Sequence, residues 1–265
     1  MLFALIAVAI AIGFRYYTKT TAGPGRPSIV FAEDYIEVPA DDGEAALLQG
    51  VTAYDPEDGD ITSSIIVEDI NGITSEGEAY AVYAAFDSNN HIAKASRLVK
   101  LTGYQPPRFF ISSSMIFSVR DNYNILHYID ASDVFDGDVS GKIRYNVIGS
   151  NIADDGTGEE QIQLRVTNSL GNTVSLPITV IVCEGDPNPA KITLSKHTVY
   201  INTGERFNPA SYVESYMSGD VQRYSSIGLK ISSDVNTAVP GVYTVEYSYG
   251  SGSELSRARL FVVVV

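Results

Sequence analysis

Carboxylates are the most abundant side chains in this sequence that could do chemistry: 32 Asp and Glu stand against 18 Lys and Arg, for a net charge of −14. They are densest in "AYDPEDGDITSSI", residues 53–65, where Asp55, Glu57, Asp58 and Asp60 fall together. Oxygens that close suit calcium, which takes roughly six to eight of them. The frame is not that of an EF-hand loop, because no glutamate closes it in the right place. The same letters also write a tight turn, in which glycine takes a positive φ and an aspartate oxygen accepts a backbone N–H. A second copy, "SDVFDGDVSGKI" at 132–143, repeats the Asp-Gly-Asp step. Asp133, Asp136 and Asp138 therefore join Asp55, Asp58 and Asp60 as candidate calcium ligands. A fainter third copy, "SYMSGDVQRYSSI" at 215–227, keeps only Gly219 and Asp220. A structural turn tolerates that loss and a required ion site does not. For the first two copies both readings, turn and calcium, stand.

Other chemistries have less to work with. His91, His127 and His197 are scattered, none beside a nucleophile motif, and no Gly-x-Ser-x-Gly, His-Glu-x-x-His, P-loop or paired-cysteine pattern occurs. The expectation is no catalytic residue, no bound cofactor and no enzyme. Cys183 is the single cysteine and reads as a packed thiol. The acidity excludes nucleic acid as a partner, since phosphate binding wants clustered Lys and Arg. Tyrosines outnumber phenylalanines, 17 to 10. Those of "NYNILHYI", residues 122–129, and of the third copy would either pack a core or stack on sugar rings, which leaves glycan and protein partners open.

Positioning these groups falls to strands. Ile162, Leu164 and Val166 alternate with Gln161, Gln163 and Arg165, and Tyr243, Val245, Tyr247 and Tyr249 alternate with Val242, Thr244, Glu246 and Ser248. A period of two marks a strand with one face buried. Gly77, Gly158 and Gly241 open such runs in each copy. The repeat length, about 80 residues, is close to that of a seven-stranded sandwich and suffices for an apolar core of its own.

The string "VTAYDPEDGDITSSI" at 51–65 resembles the bacterial immunoglobulin-like domains found in tandem along surface proteins. "PGVYTVEY" at 240–247 resembles their later signature, and residues 77–90 do so more loosely. The resemblance covers roughly residues 28–265. It implies an all-β chain of three tandem immunoglobulin-like β-sandwiches in an extracellular setting, with a role in spacing, adhesion or assembly and no catalytic residues. With no Trp and one Cys, the disulfide and core tryptophan of antibody domains cannot form.

The remaining element is a short N-terminal hydrophobic helix. Met1–Phe14 carries no polar side chain. As a helix it would extend roughly 21 Å, short of a hydrocarbon core of about 30 Å, and Arg15 and Lys19 would reach into headgroups. Four uses fit: a membrane anchor, an assembly helix for identical subunits of a filament, a cleaved signal peptide, and a helix of a soluble core. The division is 1–17 anchor or assembly helix, 18–27 flexible tether, and domains at 28–104, 105–185 and 186–265. The joins "GYQPP" and "EGDPNP" carry prolines that restrict orientation and predict a semi-rigid rod of three sandwiches end to end.

Overall fold

A computed structural model describes residues 25–74 and 76–265. The expected helix over 1–17 and most of the tether lie outside them. Among the described residues no helix is long and apolar enough to cross a membrane. The chain is mostly strand, and it divides into two compact units. The first runs to Pro106 and takes in two later turns, Asp133–Gly137 and Thr167–Asn172. The second holds Pro107–Ser132, Asp138–Val166 and Thr173–Val265.

Within the first unit lie β1 (Ser28–Phe31), β2 (Tyr35–Pro39), β3 (Val51–Asp55), β4 (Gly59–Asp60), β5 (Ile66–Asn71), β6 (Glu78–Phe86) and β7 (Ile92–Thr102). They form two sheets, ordered β1-β3-β4 and β2-β7-β6-β5. One short helix, α1 (Gly43–Ala46), interrupts them. The sheets share one core, to which β3 gives Val51 and Ala53, β6 gives Ala79, Ala81 and Tyr83, and β7 gives Val99 and Leu101. Burying each large apolar side chain contributes about 1.5–3 kcal/mol. At the centre, Tyr83 donates to the Leu47 carbonyl (2.7 Å) and receives the Arg97 Nε–H (3.1 Å). Arg97 is buried without a carboxylate partner among the described residues. Its Nη2 donates to the Leu47 and Gln49 carbonyls at 2.6 and 2.7 Å, pinning the chain just after α1. The Phe31 and Tyr83 rings lie 5.3 and 5.4 Å from its guanidinium, a cation–π arrangement. Gly77 has φ +83°, and a Cβ there would meet the Leu101 carbonyl oxygen at 2.3 Å, so only glycine fits where β6 begins.

The same strand order returns twice more. The second set is β8 (Arg108–Ile111), β9 (Ile116–Ser118), β10 (Ile129–Asp133), β11 (Gly137–Asp138), β12 (Arg144–Ser150), β13 (Gly158–Thr167) and β14 (Thr173–Cys183). The third is β15 (Thr193–Leu194), β16 (Thr198–Ile201), β17 (Val213–Ser218), β18 (Val221–Arg223), β19 (Lys230–Ser233), β20 (Gly241–Tyr249) and β21 (Ser256–Val264). Their sheets are β11-β10-β8 with β12-β13-β14-β9, and β15-β17-β18 with β16-β21-β20-β19. Each set has its own hydrophobic cluster. The early strands β2, β9 and β16 each pair parallel with the last strand of their set.

The second and third sets are in contact. Thr198 and Tyr200 project from β16 onto the free edge of β8. Phe109 N–H donates to Tyr200 Oη (2.8 Å) and Ile111 N–H to Thr198 Oγ1 (2.8 Å). Arg108 lies 4.8 Å above the Tyr200 ring, and Phe261 of β21 belongs to the second cluster. An exposed edge strand offers unpaired amides to other chains, and here side chains of the following repeat cover them. Period-two patterning does not say which edge a neighbour's side chains cover.

Candidate functional site

The acidic turns follow from the strands that lead into them. In β3, Val51, Ala53 and Asp55 point inward while Thr52 and Tyr54 face out, and in β10 Ile129, Ala131 and Asp133 do the same. An aspartate thus occupies the last inward position of each strand and is buried: Asp55 is 2 % exposed and Asp133 5 %. A buried carboxylate must be hydrogen-bonded. Asp55 Oδ1 accepts the N–H groups of Glu57 (2.8 Å) and Asp58 (3.0 Å), and Asp133 Oδ1 accepts those of Phe135 and Asp136, both at 2.9 Å. Gly59 and Gly137 follow at φ +78° and +73°.

The next acid reaches across to the turn before β7 or β14. Asp58 accepts from Ser88 N (2.7 Å) and Ser88 Oγ (2.8 Å), and Asp136 accepts from Ser169 N (2.7 Å) and the Ser169 hydroxyl. The residue before each serine is buried and closes its own turn. Asp87 Oδ1 accepts the amides of Asn89 (2.9 Å) and His91 (2.7 Å), and Asn168 Oδ1 accepts that of Asn172 (2.8 Å). The two constellations therefore correspond position for position: Asp55 with Asp133, Asp58 with Asp136, Ser88 with Ser169, and Asp87 with Asn168.

They part at one atom. In the second copy Asn168 Nδ2 donates to Asp133 Oδ2 (3.0 Å) and to Tyr104 Oη (3.2 Å), so the amide ties the turn to the residue just beyond β7. Val134, Phe135 and Leu170 from the same two turns pack on the first core. In the first copy an aspartate stands where Asn168 supplies its amide. Asp55 Oδ2 is buried and has no hydrogen-bond partner among the described residues, and Asp87 Oδ2 faces His91 Nδ1 at 2.7 Å. Burial of Asp87 works to raise its pKa. The His91 amide and imidazole and the Asn89 amide outweigh it and hold the carboxyl below the usual range.

The third acid points back along its own chain. Thr62, through its hydroxyl and its amide, holds Asp60 below the usual carboxylate range, and Ser140 does the same for Asp138. The three carboxylates of each turn thus diverge. Among the described residues no group of three or more His, Cys, Asp and Glu could hold a metal ion. In the third copy Ser215 takes the buried strand position, and Gly219 turns the chain at φ +61° with Asp220 exposed.

The histidines are in different settings. His127 is exposed. His197 is half-buried, and burial pushes its pKa down. Its Nδ1 lies 3.0 Å from the Arg259 carbonyl and 3.5 Å from Ser114 Oγ. That hydroxyl accepts the Arg259 N–H (3.1 Å), so Ser114 and His197 stitch backbone together. Tyr123 stacks on Phe117 at 4.2 Å and Tyr128 tilts against it at 5.4 Å, which places both beside a core residue. Tyr224, in the third copy, is 78 % exposed. Cys183 is a free thiol, half-buried, 3.5 Å from the Phe117 carbonyl.

No protein-family model matches the chain, and no curated relative does. Among solved structures, the CBM51-2 and INT domains of Clostridium perfringens ZmpB align over 57 % of this chain and 26 % of their own, at 17 % identity and a TM-score of 0.25. The protocadherin GammaB4 extracellular domain aligns over 92 % of this chain and 50 % of its own, at 14 % identity and a TM-score of 0.21. For mouse cadherin-23 EC22-24 the shares are 91 % and 99 %, again at 14 % identity and 0.21. The chain spans about a quarter of the first of these and half of the second. TM-scores this low carry no argument about fold or function.

Proposed function

We propose that the chain is a non-enzymatic structural or adhesive protein of the cell surface. In this reading it holds three immunoglobulin-like domains, at 28–104, 105–185 and 186–265, which act as spacer and interaction surface. The observation that carries it is the joint in the first unit. Tyr104, Asn168 and Asp133 form a buried hydrogen-bonded chain, and Val134, Phe135 and Leu170 seat on the preceding core. The second acidic turn fastens one repeat to the one before it, which suits a part whose work is to hold a fixed geometry. Ser114 and His197, 3.5 Å apart, also each bind the Arg259 backbone. The net charge of −14 keeps such a surface solvated and self-repelling.

The apolar run Met1–Phe14 would attach this array, as an anchor or by packing against identical subunits. Labelling intact cells with an antibody against residues 28–265 tests the location. Staining before permeabilisation is expected, and staining only after it would end the surface reading. Sizing in mild detergent, with and without residues 1–26, separates the two modes of attachment: the assembly mode requires an oligomer that is lost on truncation.

A further inference from the structure

The repeat supplies its own control for the first acidic turn. Two turns share their backbone bonds, their serine clasp and their buried aspartate, yet one has an amide opposite that aspartate and the other has a carboxylate. The cost of the difference is visible as Asp55 Oδ2, buried and without a partner. A carboxylate oxygen removed from water in that state is strongly unfavourable unless something positive sits on it. A shared proton is the poorer answer. Asp87 accepts two backbone N–H groups besides facing His91, and such bonds favour its ionised form.

We propose that a calcium ion bridges Asp55 and Asp87 in the first copy, in the place where the Asn168 amide bridges in the second. The donors are hard carboxylate oxygens, which select calcium or magnesium over softer metals. Magnesium demands near-ideal octahedral geometry and sheds water reluctantly, while calcium tolerates an irregular set completed by water. Glu57 and Asp58, exposed beside the pair, add negative potential. With only two protein carboxylates, affinity belongs in the weak extracellular class, with Kd on the order of 10⁻⁴–10⁻³ M. Asp133 binds no ion, because Asn168 Nδ2 already occupies its free oxygen.

The test is a calorimetric titration of CaCl₂ into the full chain at constant ionic strength, with amide spectra recorded alongside. One ion per chain is expected, with shifts confined to residues around Asp55–Asp58 and Asp87–His91. Asp87→Asn restores an amide at this position, so it should fold and bind no calcium. Asp138→Asn, in the second turn, should bind as the native chain does. The proposal fails if the native chain gives no saturable heat, if Asp87→Asn still binds, or if Asp138→Asn abolishes binding.

Discussion

Replacing Asn168 by alanine removes one carboxamide and disturbs three polar groups at once, two of them buried. Asp133 Oδ2 loses its donor at 3.0 Å, Tyr104 Oη loses a donor at 3.2 Å, and the Asn172 amide loses an acceptor at 2.8 Å. A buried polar group left without a partner costs about 1–3 kcal/mol, more when charged. Asp133 at 5 % exposed and Tyr104 at 9 % have little access to water. Tyr104 can turn its hydroxyl, so most of the loss falls on the carboxylate and the amide, and a total of about 3–5 kcal/mol is expected. Tyr104→Phe touches one bond of the three and should cost about 1 kcal/mol. Urea unfolding of both variants, followed by circular dichroism and by tyrosine fluorescence, measures the difference. The two probes also report whether the first unit melts apart from the second. If Asn168→Ala costs no more than Tyr104→Phe, water reaches Asp133, and the joint is not the dry fastening described above.

Gly77→Ala must place a methyl against the Leu101 carbonyl at positive φ, and a loss of about 3 kcal/mol or more in denaturant midpoint terms is expected. Gly137→Ala has the same sign of φ with nothing within 4 Å, so the backbone strain alone, about 1–2 kcal/mol, should appear. Tyr200→Phe leaves the Phe109 amide of β8 without its acceptor; a loss of about 1–3 kcal/mol and faster amide exchange at Phe109 are expected. Burial lowers the pKa of His197, so the unfolded chain takes up the proton first as pH falls. Its contribution is complete above about pH 6.5 and shrinks below it, and His197→Gln should flatten that part of a stability–pH curve.

Much of the fold is legible in the residues. Gly77, Gly158 and Gly241 stand at the starts of β6, β13 and β20, and the Asp-Gly-Asp steps sit where β3 and β10 end, because alternation and turn chemistry are local properties of the chain. The partners of the turns are not local. Ser88 and Ser169 lie about 30 residues from the acids they bind. The one hint was that a serine follows the acid or amide in both "FDSNN" and "TNSLG". Tyr104 sits beside prolines in a stretch read as a join, and nothing in its neighbours shows that its hydroxyl ends a buried chain. Arg97 falls in a strand of polar and small residues, so its burial depends on carbonyls beyond α1 that only tertiary folding brings near.

The parallel pairing of β2 with β7, β9 with β14 and β16 with β21 has a mechanical consequence. In each set an early strand and the closing strand run in the same direction, from Tyr35 beside Leu98, Ile116 beside Ile181 and Thr198 beside Phe261. A pull applied through the two ends of a set therefore drags these neighbours in opposite senses along their length. Their hydrogen bonds are loaded together, in shear, and must yield as a group. A hairpin pulled open from its tip would break the same kind of bond one at a time and at lower force. A chain that holds objects together under flow would gain tensile strength from this arrangement three times over, whatever it grips.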